Sequence, residues 1–261
     1  MTDQAKYINK LKGARVLIIG GTSGIGFGVA EAVIEHGAGK VIVSSSRESR
    51  VNDAIARLKA SYPSSTASIE GYVCDVGELG TMEDNIKELF TKVGTLDHIV
   101  YSAGDNPPLR PLDTVDFAFI QRVGNIRFYG PLLVALHGHK NLVQSPQSSI
   151  TITTGATSEK PWAGSTVVGS WLSGLHGMTR GLALDLKPLR VNLISPGGID
   201  TALWDYKSPE ERKALIDELT RDTTVGVIGT VEDIAEAYIY CMRDHFVTGT
   251  MISSNGGRFL V

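Results

Sequence analysis

Gly20, Gly24 and Gly26, spaced along Gly20-Gly21-Thr22-Ser23-Gly24-Ile25-Gly26, form the clearest chemistry-bearing pattern in this sequence. They follow the apolar run Val16-Leu17-Ile18-Ile19 and lead at once into a helical pattern. In a strand–turn–helix setting each has a task. Gly20 permits the tight turn, Gly24 lets the backbone approach a pyrophosphate, and Gly26 lets the helix pack on the strand. The helix N-terminus then presents free N–H groups to phosphate oxygens. A tight turn would also select glycine, but the strand before and the helix after favour dinucleotide binding, with Thr22, Ser23 and Ile25 in the same loop.

The segment about 20 residues further on bears on which dinucleotide is bound, because an acid there would hold the ribose 2′-hydroxyl of NAD. Counting from Gly26 reaches Ser44-Ser45-Ser46-Arg47, with no acid before Glu48. Hydroxyls and a planar guanidinium fork suit a 2′-phosphate, so NADP(H) is the expected cofactor, held by Ser44, Ser45, Ser46 and Arg47. The alternative is that Arg47 is a solvated residue at a helix start.

These groups need a scaffold. Short β-branched runs at 16–19, 41–43, 69–73, 98–101, 150–153, 191–194 and 250–252 alternate with helical patterns at 25–36, 51–61, 79–93, 115–136, 166–186 and 231–242. Such alternation predicts an α/β chain: a single-domain Rossmann fold, with a doubly wound parallel seven-stranded sheet and helices on both faces. No linker composition interrupts residues 1–261. A charged, helix-like insertion at about 201–229 is the one addition.

Composition excludes several classes. Lys and Arg total 25 against 28 Asp and Glu, a formal net charge of -3, and no basic cluster suggests nucleic-acid binding. Cys74 and Cys241 read as free thiols of a reducing compartment. No apolar run approaches the roughly 20 residues of a membrane span. Residues 1–12 are charged and lack the apolar core of a leader, so a cytoplasmic protein is expected.

Further motifs carry a resemblance along nearly the whole chain. Ile19-Gly20-Gly21-Thr22-Ser23-Gly24-Ile25-Gly26, Asp75-Val76, Ser102-Ala103-Gly104, Asn125, Ser195-Pro196-Gly197-Gly198-Ile199-Asp200-Thr201, Thr248-Gly249 and Asn255-Gly256-Gly257 occur in the order found in short-chain dehydrogenases/reductases, which the chain resembles. The resemblance implies that Asp75 and Val76 meet the adenine. It places Ser102, Ala103 and Gly104 beside the cofactor, and Pro196, Gly197, Ile199 and Thr201 along its nicotinamide end. Lys10-Leu11-Lys12-Gly13-Ala14-Arg15 and Asp185-Leu186-Lys187-Pro188-Leu189-Arg190 are similar to a divergent fungal subgroup. That subgroup includes the NADPH-dependent reductase/Diels–Alderases of malbrancheamide- and paraherquamide-type indole alkaloids.

One motif of the family is missing. None of the eight tyrosines has a lysine four residues later. The positions corresponding to the family's Ser, Tyr and Lys fall at Gly155, Val168 and Leu172. Reducing a ketone puts charge on oxygen and needs a proton or oxyanion donors. Reducing an iminium cation needs a hydride and no proton, so a site without Tyr and Lys remains competent for it.

Candidates to replace the triad follow from residue chemistry. Trp162, Trp171 and Trp204 offer faces for a cation or a flat substrate, or else fill core or interface. Arg127 is either an active-site donor or a snorkelling surface residue. Asp105 either faces a cation or caps a turn. Arg127, Asp105 and Trp171 are the catalytic candidates; Trp162, Ser165, Thr166 and Trp204 are the substrate-binding ones. Glu159, Asp200 and Asp205 are weaker acids. His137, His139 and His176 lack metal-ligand spacing and read as structural.

The expected function is NADPH-dependent reduction of an imine or iminium intermediate of indole alkaloid biosynthesis, on an aromatic, cationic small molecule. By resemblance, control of an intramolecular Diels–Alder cycloaddition would accompany it. A non-redox cyclase or isomerase with NADP as pocket wall, and a cofactor-binding pseudoenzyme, are the alternatives. The apolar stripe Val167, Val168, Trp171, Leu172, Leu175, Met178 and Leu182 would pair across a two-fold axis in a homo-oligomer, a tetramer or dimer.

Overall fold

The computed structural model describes residues 6–106 and 109–261; residues 1–5 of the leader-free N-terminal reading lie outside the described residues. Among these residues the strands are β1 (Arg15–Ile19), β2 (Lys40–Ser45), β3 (Ser68–Val73), β4 (His98–Tyr101), β5 (Ser149–Thr153), β6 (Arg190–Pro196) and β7 (Met251–Ser254). They form one sheet in the order β3-β2-β1-β4-β5-β6-β7, and every neighbouring pair is parallel. The central strands read as continuous apolar runs because both faces are covered. Val16 and Ile18 point into one helical layer, and Leu17 and Ile19 into the other.

The first layer is α1 (Gly24–Glu35), α2 (Glu48–Ser61) and α8 (Val231–Arg243). The second is α3 (Leu79–Val93), α4 (Phe117–Gly124), α5 (Gly130–Gly138) and α6 (Thr166–Asp185). Strand order reverses between β1 and β4, which opens a crevice at their carboxyl ends, where such sheets bind ligands.

The helix expected over 115–136 is broken. Asp116 caps α4 by accepting from the Phe119 N–H at 2.7 Å, and a π-helical turn, Asn125–Tyr129, separates α4 from α5. Pro131 has no N–H to continue the ladder, and its ring would crowd the carbonyl one turn back. The Tyr101 hydroxyl donates to the Ile126 carbonyl at 2.5 Å inside that turn. The insertion at 201–229 contains one short turn, Ala202–Trp204, and α7 (Pro209–Arg221). A Ser208–Glu211 capping box and Pro209 in the first turn start α7.

The apolar stripe of α6 has a different use from the one expected. Val167, Val168, Leu172 and Leu175 are buried in the chain's own core, with Trp171, Met178 and Leu182 packed against them. The exposed large apolar side chains of α5 and α6 are instead Leu132, Leu136 and Leu184. Both cysteines are buried and free, and burial pushes each thiol up to about 12. No described helix is long and apolar enough to cross a membrane.

At the start of β4 the buried His98 bonds Ser149 Oγ through Nδ1 at 2.9 Å. Burial, and then the Arg190 cation, push its pKa down to about 3. The unfolded chain therefore binds a proton below its ordinary pKa of about 6.5 that the folded chain refuses. Stability carried by neutral His98 is intact above that value and drains away as pH falls toward 3. Urea unfolding at pH 7.5 and pH 5 should show a pH penalty about 2 kcal/mol smaller in His98→Gln than in the wild type; equal penalties would show that His98 is not held neutral.

Candidate functional site

A cleft of about 880 Å³ runs across the carboxyl ends of the strands, within the range of small-molecule sites. Its floor depends on backbone approaches that only glycine permits. Gly20 has φ +85°, and a Cβ there would sit 2.5 Å from the Ala103 nitrogen. A Cβ on Gly26 would lie 2.3 Å from both the Gly20 oxygen and Ser102 Oγ. Gly24, at φ +51°, faces the Thr201 side chain, 3.4 Å from where a Cβ would be. The α1 N-cap, Ser23, makes no side-chain cap hydrogen bond, so the first-turn N–H groups remain available to an anion. Thr22, Ser23, Ile25, Ser102, Ala103, Gly104, Pro196, Gly197, Ile199 and Thr201 all line this part of the cleft, with Asp75 and Val76 beyond them.

The segment after β2 departs from expectation. Ser45 and Ser46 line the cleft, but Ser44 and Arg47 do not. Ser44 is buried in the strand, and Arg47 is the α2 N-cap. One turn on, the helix brings Arg50, Asp53 and Arg57 onto the cleft. Arg57 lies 4.0 Å over the Phe27 ring and 3.5 Å from Asp53, whereas Arg50 is exposed and makes no ion pair among the described residues. Its position was readable as the helical i,i+3 neighbour of Arg47.

The opposite wall is formed by Thr153, Thr154, Gly155, Ala156, Thr157 and Leu172, with Val168 fully buried behind it. Proton accounting decides what this wall offers. Thr153 Oγ1 donates to the Tyr101 carbonyl at 2.7 Å, so its 2.6 Å contact with the Tyr238 hydroxyl must be one in which Tyr238 donates. Thr154 Oγ1 donates to the Leu172 carbonyl at 3.0 Å. Each threonine hydroxyl has one proton and has committed it. Burial pushes the Tyr238 phenol further above its ordinary range. Neither threonine has a free hydroxyl proton to offer the cleft.

Arg127 and Asp105 meet. Arg127 Nε donates to Asp105 Oδ1 at 3.0 Å, and its Nη2 bonds the Asp105 carbonyl. The guanidinium lies over Gly104, where a Cβ would be 3.4 Å from Nη2. Arg127 is thus not a snorkelling residue and Asp105 not a lone acid; they line the cleft as an ion pair, with side chains 14% and 45% exposed.

The tryptophans divide. Trp162 and Trp204 line the cleft. Trp171 does not: its Nε1 donates to the Ile120 carbonyl at 2.9 Å, and its ring packs on Phe128 and Tyr129. Trp171 therefore joins α6 to α4 and the π turn, and the catalytic expectation for it is corrected. Ser165 and Thr166 do not reach the cleft either. Ser165 is buried; its hydroxyl accepts from the Trp162 N–H and donates to the Trp162 carbonyl, fixing that tryptophan's backbone. Thr166 is exposed at the start of α6, with its carbonyl taken by Ser170.

Glu159 accepts from Ser195 Oγ at 3.2 Å. His137 pairs with Glu83, His139 with the Ala135 carbonyl and His176 with Ser158. No group of three or more His, Cys, Asp or Glu among the described residues is placed to hold a metal. Sequence reasoning missed Arg50, Asp53, Arg57, Leu203, Leu219 and Arg258, all on the cleft.

Comparison with known proteins agrees with this geometry. An SDR-like Rossmann domain matches residues 7–261. The chain belongs to the short-chain dehydrogenase/reductase family. Short-chain dehydrogenase/reductase fsr5 of Gibberella fujikuroi is 42% identical, over 100% of both chains. The solved structure of MalC Reductase/Diels-Alderase from Malbranchea aurantiaca is similar at TM-score 0.89 and 38% identity, covering 98% of this chain and 100% of that one. A small-chain dehydrogenase solved in complex with NADPH is similar at TM-score 0.77 and 26% identity, covering 96% and 100%.

In this member of the family the first residues of the insertion line the cleft and are clasped on both sides. Arg212 of α7 donates to Asp200 Oδ1 at 2.7 Å and to Asp205 Oδ1 at 2.5 Å. The two acids flank the segment that carries Thr201, Leu203 and Trp204 into the cleft. Arg212→Ala should free that segment: native-state hydrogen exchange at 201–206 should quicken about tenfold while β6 is unchanged, and unaltered exchange there would show that the clasp does not hold the wall.

Proposed function

We propose that this chain is an NADPH-dependent reductase of a preformed imine or iminium carbon in an aromatic intermediate of secondary metabolism. The observation that carries the reading is that neither Thr153 nor Thr154 has a hydroxyl proton to give. The family resemblance puts Gly155, Val168 and Leu172 at the positions of its Ser, Tyr and Lys. A ketone's developing oxyanion would find no acid there, while a cation needs none. The similarity to the MalC reductase and to fungal relatives supports the metabolic setting.

The cradle fits NADP(H), because the close Gly20 and Gly26 approaches set α1 with its first-turn N–H groups, uncapped by Ser23, at the cleft, where they can take a pyrophosphate. Gly20, Thr22, Ser23, Gly24, Ile25 and Gly26 would hold it. Ser45, Ser46 and Arg50 would take the 2′-phosphate, Asp75 and Val76 the adenine, and Pro196, Gly197, Ile199 and Thr201 the nicotinamide end. The small-chain dehydrogenase solved with NADPH supports the choice of cofactor. When bound, NADPH supplies a hydride, two electrons that turn the C=N⁺ unit into an amine with no proton taken up.

The chain's residues bind and shield. Trp162 and Trp204 present aromatic faces to a flat cation. The Arg127–Asp105 pair supplies a fixed dipole on the same cleft, and Leu172 keeps water from the reacting carbon. The exposed Leu132, Leu136 and Leu184 support a homo-oligomer, a dimer or tetramer.

NADPH oxidation followed with N-methyl-3,4-dihydroisoquinolinium and with 1-tetralone tests the reading. The iminium should be preferred at least about 100-fold in kcat/KM, on the scale of a lost transition-state donor. Adding Tyr and Lys through Val168→Tyr with Leu172→Lys should not improve it. Vigorous ketone reduction without iminium reduction would overturn the mechanism, and inactivity with both would favour a cyclase or a pseudoenzyme.

Cofactor choice is separately testable by titration. Arg50→Ala should weaken NADPH by about 1.5–3 kcal/mol, roughly 10- to 150-fold, and leave NADH unchanged. Arg47→Ala should change neither; a large loss from Arg47→Ala alone would restore it as the phosphate ligand.

A further inference from the structure

Arg258 lines the cleft but belongs to no part of the cofactor cradle. Its backbone is pinned from two sides. Gly256 and Gly257, at φ +63° and +76°, turn the chain after β7, and a Cβ on Gly257 would lie 2.0 Å from Thr224 Oγ1. From the other side Lys160 Nζ donates to the Arg258 carbonyl at 3.0 Å and to that of Val261.

The side chain so held is 7% exposed. Its guanidinium lies 4.6 Å from the centre of the Trp162 ring, and its buried Nε has no hydrogen-bond partner. The nearest acid, Asp222, is 3.9 Å away and 45% exposed. No hydrogen bond from the guanidinium to another described residue is formed. Burial depresses its pKa, opposed by Asp222 and Glu218.

Five N–H donors on a nearly buried cation require acceptors. Asp222 is too far for a hydrogen bond and half in water, so it offsets the charge only in part and the guanidinium donors have no acceptor among the described residues. The planar fork matches a carboxylate, which can accept two N–H bonds at once. Trp162, beside it and 38% exposed, offers an aromatic surface to whatever the carboxylate is attached to.

We infer that Arg258 and Trp162 form a recognition site for a carboxylate borne on an aromatic ligand, at the cleft wall contributed by the C-terminal segment. This rests on the cleft being the ligand site of the proposed reductase, and adds an anionic group to the expected substrate.

Calorimetry on the NADPH-saturated protein with indole-3-acetate and its neutral analogue indole-3-acetamide tests it without turnover. A failed iminium assay would therefore leave this result interpretable. The acid should bind at least about tenfold more tightly than the amide, the scale of a charge-assisted pair. Arg258→Met, which keeps the length and packing of the stem, should bring the two within twofold and leave NADPH affinity unchanged. Arg258→Lys should retain part of the preference.

Equal binding of acid and amide by the wild type, or an acid preference that survives Arg258→Met, would overturn the inference. Should Arg258→Met fail to fold, Asp222→Asn serves instead. With the competing acid gone, the acid probe should tighten by about threefold and the amide should not change; no tightening would overturn the inference.

Discussion

Gly20 has no Cβ, and the site is built on that fact. β1 and β4 are neighbours in the sheet, and the chain must leave both at the same level and in different directions. It does so with the Gly20 turn pressed so closely against Ser102 and Ala103 that a single methyl group would meet backbone at 2.5 Å. Gly26 repeats the constraint from the helix side, against the Gly20 oxygen and Ser102 Oγ. These contacts set the crevice at the reversal of strand order and aim the α1 N-terminus into it. Every other wall of the cleft is positioned relative to that junction.

Against that floor, the opposite wall is defined by what its hydroxyls have already given away. The Tyr238 phenol, Thr153 and the Tyr101 carbonyl form a one-directional chain, and Thr154 is spent on the helix that carries Leu172. Leu172 of α6, backed by the buried Val168, adds apolar surface beside them. Aromatic and charged groups lie on other walls: Trp162, Trp204, the Arg127–Asp105 pair and Arg258. Division of the cleft into an inert wall and a recognition wall suits a reaction in which the electrophile arrives activated.

The strands and the first three helices were legible because a doubly covered parallel sheet writes continuous apolar runs, and amphipathic helices write their own period. The glycine loop was legible for the same local reason. Features decided by tertiary contact were not. The π turn at Asn125–Tyr129 depends on Tyr101 reaching the Ile126 carbonyl, and Tyr101 is distant in sequence. Counting along β2 found the correct strand end, but that α2 turns Arg50 and not Arg47 onto the cleft had to come from the structure. Trp171 and Trp162 are alike as residues, and only packing sends one into the α4–α6 contact and the other into the cleft. Arg258 meets Trp162 and Asp222 from remote parts of the chain, and nothing in its neighbourhood beyond the Gly-Gly turn marks it.

The central claim is that the protein supplies no proton to the reacting group. A cyclic imine that can lose its proton, 3,4-dihydroisoquinoline, and its N-methyl iminium analogue, which cannot, separate the possibilities in one pH series of single-turnover NADPH oxidation. With no acid in the site, the N-methyl compound is reduced at a constant rate across neutral and mildly alkaline pH. The imine rate then falls about tenfold per pH unit above the imine's own pKa, because only the cation formed in solution reacts. An imine reduced at an undiminished rate well above that pKa would mean that the cleft protonates it, and would contradict the account.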